Sequence, residues 1–245
     1  MEGNTWHYTW DVPHDLDNFL LEWPSPEAFV EKLEYSFNQS TIQRFLFEEN
    51  WLPNPYYWAG NEHDLLFPWE FIIAGRADLT QYWVRWLLEH RYSANPDGLP
   101  GVSKAKEIKC NLFYLFFFFL GGGGSQNDDY GTMSAWYTFG ALGLYPITGF
   151  DYYFISSPNV EYATIKAGST TFTVRAINHS AANVYIESVT LNGVALAEPY
   201  ITHAQLTSGN CDLVFTLTSS PNGEFNTNYA SAWRAEYEQR RAAKQ

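Results

Sequence analysis

"HDLLFPWEFIIAGRADLTQYWVRWLLEHRYS", residues 63–93, decides the fold. Its apolar residues recur at helical spacing rather than in strict alternation, so it reads as two helices. The first is expected to end near Ala74-Gly75, with glycine as the stop. Asp78 or Thr80 is the expected cap of the second, which carries Tyr82, Trp83, Trp86, Leu87 and Tyr92. Upstream, "SPEAFVEKLEYSFN" (25–38) opens with Ser25 as an N-cap and Pro26 at the first helical position. Ala28, Phe29, Leu33, Tyr35 and Phe37 then form an apolar stripe. Downstream, "NPDGLPG" (95–101) is a turn by composition. "GTMSAWYTFGALGLYP" (131–146) is another apolar helix, stopped at Gly143 and Pro146.

After about residue 150 the period changes to two. "YATIKAG", "TTFTVRAIN", "NVYIESVTLNGVAL", "YITHAQLTSG" and "CDLVFTLTSS" read as short strands rich in β-branched and aromatic residues. Asn192-Gly193 marks a hairpin between Ser188–Leu191 and Val194–Leu196. Helices followed by strands give a mainly α, then β chain. Residues 1–149 form the helical region and 150–222 a small antiparallel β region. Residues 223–245, with "SAWRAEYEQRRAAKQ", form a polar tail, read as a solvated helix or frayed end.

Composition bounds the function. With 46% hydrophobic residues in 245, the chain can build a substantial core. A net charge of −13 argues against nucleic acid, whose phosphates need basic surfaces. No apolar run reaches the length of a membrane span. Ten Trp and seventeen Tyr serve core packing first; stacking on sugar faces is the sharper use. Cys110 and Cys211 make no disulfide framework. "MEGNTWHYTW" lacks the charged and apolar regions of a signal peptide, while the sequons at Asn38 and Asn178 hint at a secretory route.

Residues 102–126 stand apart: a basic run, then Asn111–Leu120, apolar except Asn111, then Gly121–Gly124. The run is too short for a bilayer. The glycines lack the Lys-Ser/Thr of a phosphate loop. A buried strand of this composition is an aggregation hazard. The reading favoured by the codons is a translated intron. Val102-Ser103 can be encoded as a 5′ splice donor, the Phe/Leu run as a pyrimidine tract, and Gln126 as CAG at an acceptor; the glycine codons fit that tract poorly. Without the stretch, "PDGLPG" joins "NDDYGTMSAW".

Three motifs then carry chemistry: "EGNTWHYTWDVPHD" (2–15), "GNEHDLLFPW" (60–69) and "NDDYGTMSAW" (127–136). Each sets carboxylates among glycines and aromatics near an element boundary, where sites are commonly carried. The plainer use is capping: Asn127 or Asp128 could cap the helix that begins near Gly131. The chemistry the three suit together is glycoside hydrolysis, which needs one carboxylic acid and one carboxylate from separate segments. Glu2 and Asp129 could face each other across a pocket. Asn61-Glu62 offers oxygen donors of the kind a hard cation such as Ca²⁺ takes. No HExxH, GxSxG or CxxC motif supports zinc or serine-nucleophile chemistry.

These motifs, with "ALGLYP" and "YIESVTLNG", resemble the catalytic domain of glycoside hydrolase family 92, the calcium-dependent exo-α-mannosidases. Order and spacing match up to about residue 222, apart from 102–126. The resemblance implies an N-terminal β-sandwich followed by an (α/α)6 barrel, with this chain beginning inside the barrel as a partial set of its helices. It implies inverting hydrolysis of α-mannosides of N-glycans or mannans. Glu2 would be the general acid and Asp129 the general base, with Asp128 beside it. Asn61 and Glu62 would meet Ca²⁺, which binds the mannose 2- and 3-hydroxyls. Trp6, Tyr8, Glu62 and Asn127 would line the sugar pocket. A full-length form would be secreted or pass the secretory pathway. The sequence departs from the family at His7, usually Gln, and at His63, usually Pro. Glu2 has no preceding helix, and the insertion lies just before Asp129, so the ancestral activity is distinguished from that of this chain, which is expected to be weakly active at best. The alternative is a non-catalytic carbohydrate-binding or structural remnant.

Overall fold

The structure, a computed structural model, describes residues 3–42, 54–94, 99, 128–167 and 169–245. Glu2, Asn127, Cys110 and the stretch 102–126 lie outside them. The helical region contains α1 (Thr5–Tyr8), α2 (Leu16–Leu21), α3 (Pro26–Ile42), α4 (Phe67–Glu70), α5 (Ala77–His90) and α6 (Thr132–Ala141). Then come β1 (Leu144–Pro146), β2 (Tyr152–Ile155), β3 (Tyr162–Ala167), β4 (Thr170–Ile177), β5 (Tyr185–Leu191), β6 (Val194–Ala195) and β7 (Tyr200–Thr202). A short α7 (His203–Thr207), β8 (Cys211–Thr218) and a long α8 (Glu224–Lys244) complete the order.

Local chemistry sets several boundaries as expected. Ser25 Oγ accepts the Ala28 N–H at 3.2 Å, opening α3. Gly75, at φ 73°, ends the turn after α4 in a left-handed conformation that a side chain would strain. Gly143, also left-handed, follows α6. Asn192 and Gly193, at φ 51° and 79°, make the β5–β6 hairpin. The start of α5 differs from expectation. The helix begins at Ala77 without a side-chain cap, because the Asp78 carboxylate is taken by Arg76 at 2.9 and 2.8 Å. The hydroxyl of Thr80 is buried without a hydrogen-bond partner.

Two apolar clusters organise the molecule. The helical one is aromatic: Trp10 stacks on Trp23 at 5.2 Å, and Phe37 on Trp83 at 4.9 Å. Much of the aromatic load therefore packs the core. The second cluster lies under a five-stranded sheet of order β3-β4-β8-β5-β6, where β8 turns Cys211, Leu213, Phe215 and Leu217 inward. The sheet is not wholly antiparallel: β4 and β8 run parallel, since the chain crosses over through β5, β6, β7 and α7 before returning. A three-stranded antiparallel sheet, β1-β2-β7, lies beside it in the order. "YITHAQLTSG" is only partly strand. Thr202 caps α7 through a box with Gln205, whose side chain returns to the Thr202 N–H at 2.8 Å.

Buried polar groups join the two regions. Arg85 of α5 donates to the Pro158 carbonyl at 2.8 Å. Gln81 and Asn226 pair at 2.8 Å, and Gln81 also accepts the Ile186 N–H at 2.9 Å. The polar tail is thus a docked helix rather than a frayed end. α8 buries Phe225, Tyr229 and Tyr237, Tyr229 donates to the Ile72 carbonyl at 3.0 Å, and Arg234 pairs with Glu27 at 2.8 Å. Among the described residues, no helix is long and apolar enough to cross a membrane.

Candidate active site

The three motifs meet. Asn4 caps α1, its Oδ1 accepting the N–H groups of Trp6 at 2.8 Å and His7 at 3.3 Å. Its amide nitrogen donates to the Pro55 carbonyl at 2.9 Å. Gly3 lies close under the Tyr8 ring: a Cβ there would stand 2.9 Å from it and push the ring aside. Tyr8, 42% exposed, sets its hydroxyl 3.4 Å from His63 Nε2, so the first motif touches the second. His63 Nδ1 lies 3.7 Å from Asp11.

Asn61 is buried and precedes a 3₁₀ turn formed by Glu62–Asp64. Glu62 points outward, and its Oε1 lies 2.9 Å from the Thr132 hydroxyl of α6. The same hydroxyl lies 2.6 Å from the Asp129 carbonyl, so the second motif reaches the third. Trp136 Nε1 donates to the Leu65 carbonyl at 2.9 Å and fixes α6 against the 61–65 turn. Asp129, Tyr130 and Gly131 are all left-handed, with φ of 43°, 58° and 98°. Non-glycine residues seldom hold that conformation, and such strain gathers at functional sites.

The Asp128 carboxylate accepts from the Ser134 N–H at 2.8 Å and from its hydroxyl at 2.7 Å, which caps α6. The capping use thus accounts for Asp128. Trp6 is also engaged: it stacks on Tyr35 at 5.6 Å, and the Lys32 ammonium lies 3.8 Å from its ring centroid.

Beneath the outer groups lies a buried layer. Asp64 has no exposed surface; its Oδ2 accepts the Trp58 N–H at 2.6 Å and its Oδ1 has no partner. Burial pushes its carboxyl well above the usual range. His7 Nε2 lies 3.6 Å from Asp64, and burial lowers the imidazole to about 4, so it is neutral. Glu70 is buried, both oxygens lack partners, and its carboxyl is likewise held well above its usual range by burial. Thr132, Asp64, Ser134 and Trp136 escaped the sequence reading. Asp64 and Thr132 stand inside the quoted motifs, but His7 and Glu62, which they meet across motifs, are distant in sequence.

The glycosyl hydrolase family 92 catalytic domain model matches residues 1–121 and 103–219. The chain belongs to glycosyl hydrolase family 92. Among its curated relatives is a protein of Arthroderma benhamiae described as an uncharacterized secreted glycosidase. It is 28% identical over 212 residues, covering 85% of this chain and 22% of that protein. The family 92 α-mannosidase BT3965 of Bacteroides thetaiotaomicron aligns with a TM-score of 0.72 and 26% identity, over 91% of this chain and 26% of its own. It has also been solved with mannoimidazole. The family 92 inverting mannosidase BT2199 of the same species aligns with a TM-score of 0.69 and 26% identity, over 93% of this chain and 29% of its own. The chain spans about a quarter of the length of these relatives. The helix-then-sheet architecture read from the sequence is that of the family 92 structures.

Proposed function

We propose that this chain carries the catalytic segments of a Ca²⁺-dependent, inverting exo-α-mannosidase acting on α-mannosides of N-glycans or mannans. The observation that carries the reading is the convergence of the three motifs through Tyr8–His63 and Glu62–Thr132–Asp129. Family membership and the mannosidase neighbours support the sugar class.

In this reading Glu2 protonates the leaving oxygen and Asp129 takes the proton of the attacking water. Asp128 holds the N-terminus of α6 and thereby aims Asp129. Thr132 keeps Glu62 beside that segment. Tyr8 and Asn127 border the sugar, and Trp6 supports that wall from behind. Asn61 and Glu62 supply oxygen donors that suit a hard cation. Among the described residues no group of three or more His, Cys, Asp and Glu could hold a metal ion, so in this reading the remaining Ca²⁺ ligands would have to come from outside them. When bound, Ca²⁺ would engage the mannose 2- and 3-hydroxyls. The secreted glycosidase among the relatives supports a secretory route for the whole protein.

The stretch 102–126 is proposed to be translated intron. Its support is the sequence reading: donor-like Val102-Ser103, the Phe/Leu run and acceptor-like Gln126. The test of function uses a protein of the relatives' length that carries this chain without 102–126. Mannose released from an α-mannobiose, and lost in chelator, is the expected result. Mannoside binding without release would favour the carbohydrate-binding alternative.

A further inference from the structure

We propose that His7 is a positioning residue that ties the Gly3–Asn4 backbone to the Asn54–Pro55 segment as a single neutral tautomer. The inference deepens the mannosidase reading, in which Glu2 is the acid. The imidazole has no exposed surface. Its Nδ1 lies 3.1 Å from the Asn4 backbone N–H, which can only donate, so Nδ1 accepts and carries no proton. Its Nε2 lies 3.0 Å from the Asn54 carbonyl, which can only accept, so Nε2 carries the proton. Two backbone groups from distant segments thus fix one tautomer.

The arrangement gives a reason why histidine and glutamine, the residue the resemblance leads one to expect here, could serve alike. His7 stands at the third position of α1 and closes a capping box with Asn4, a place that Glu or Gln ordinarily fills. An amide offers one acceptor and one donor end, as neutral histidine does. Glutamate offers acceptors alone and could not donate to the Asn54 carbonyl. The imidazolium would face the Asn4 N–H with another N–H. The charged and titratable neighbours of the ring are Asp64, at 3.6 Å from Nε2, and His63. The tie is reinforced by the Asn4 amide on Pro55 and by the Tyr8 ring against Gly3. Asn4, two positions after Glu2 in the sequence, is therefore anchored twice.

The test uses the full 245-residue chain. Nitrogen-15 spectra should show His7 protonated at Nε2 alone from neutral pH to about pH 5. The Asn4 amide should exchange slowly with solvent in the wild type. His7→Leu should speed that exchange by roughly 10-fold or more, the effect of about 1.4 kcal/mol of lost tie. His7→Gln should restore most of it. An Nδ1–H tautomer, an imidazolium at pH 6, or equal exchange in His7→Leu would overturn the proposal. So would a well-folded His7→Gln that behaves like His7→Leu. These readouts do not need turnover, so absence of mannose release would reject the mannosidase reading alone.

Discussion

The Thr132 hydroxyl lies 2.9 Å from Glu62 Oε1, across 70 residues of sequence. It joins the oxygen-rich turn of the second motif to the strained segment that carries Asp129. A hydroxyl has one hydrogen, so Thr132 donates to Glu62 or to the Asp129 carbonyl at any moment, and both stay within its reach. Removing it should loosen both. In a protein of full family length, Thr132→Val should lower kcat/KM roughly 10-fold, while Thr132→Ser should stay close to the wild type. Steady-state kinetics on an α-mannobiose checks this; equal loss in both variants would count against the hydroxyl.

The neighbouring aspartates should separate cleanly. Asp129→Asn keeps shape and removes the proposed base, so kcat should fall roughly 10²–10⁴-fold with little change in the melt. Asp128→Ala removes the cap on Ser134 and should cost about 1 kcal/mol of stability. Thermal melts and kcat measured on both variants check the division of labour.

Glu70 gives a pH prediction of definite sign. Its folded carboxyl is held protonated by burial, while the unfolded group titrates at 4.5. Above that pH the unfolded state releases the proton and the folded state keeps it, so stability falls as pH rises toward the folded value. Glu70→Leu removes two buried, unpartnered oxygens and should stabilise the chain by about 1–3 kcal/mol, more at pH 8 than at pH 5. Urea melts at the two pH values test it. A variant less stable than the wild type at pH 8 would point to a partner for Glu70.

The transcript is expected to omit the codons for 102–126. Sequencing of mature messenger RNA across residues 100–128 decides this: splice-site codons at Val102 and Gln126 with a shortened message are expected. A mature message that retains the stretch would make it part of the protein.

The fold was legible where local chemistry sets it. Ser25 as a cap, Gly75 as a stop and Asn192-Gly193 as a hairpin each act within a few residues. The Thr202–Gln205 box was equally local, but the period-two run around it masked it. What no window could reveal were long-range partners. The parallel pairing of β4 with β8 depends on a crossover. The docking of α8 depends on Asn226 meeting Gln81, 145 residues away. At the site, the motif residues Asn61, Glu62 and Asp129 were readable by type, whereas Thr132 and Asp64 acquire meaning only from what they touch. His7 looked like a simple departure until its two nitrogens were seen to face two backbone groups.

The decisive measurement is the anomeric configuration of the first mannose released. Proton NMR follows an α-1,2-mannobiose mixed with a full-length family protein carrying this chain without 102–126. A water activated by Asp129 on the face opposite the leaving group gives inversion, so β-mannose should appear first and mutarotate to the α form. Glu2 and Asp129 would then stand roughly 6.5–9.5 Å apart. α-Mannose as the first product, or undiminished release in chelator, would contradict the assignment of an inverting, Ca²⁺-dependent mannosidase.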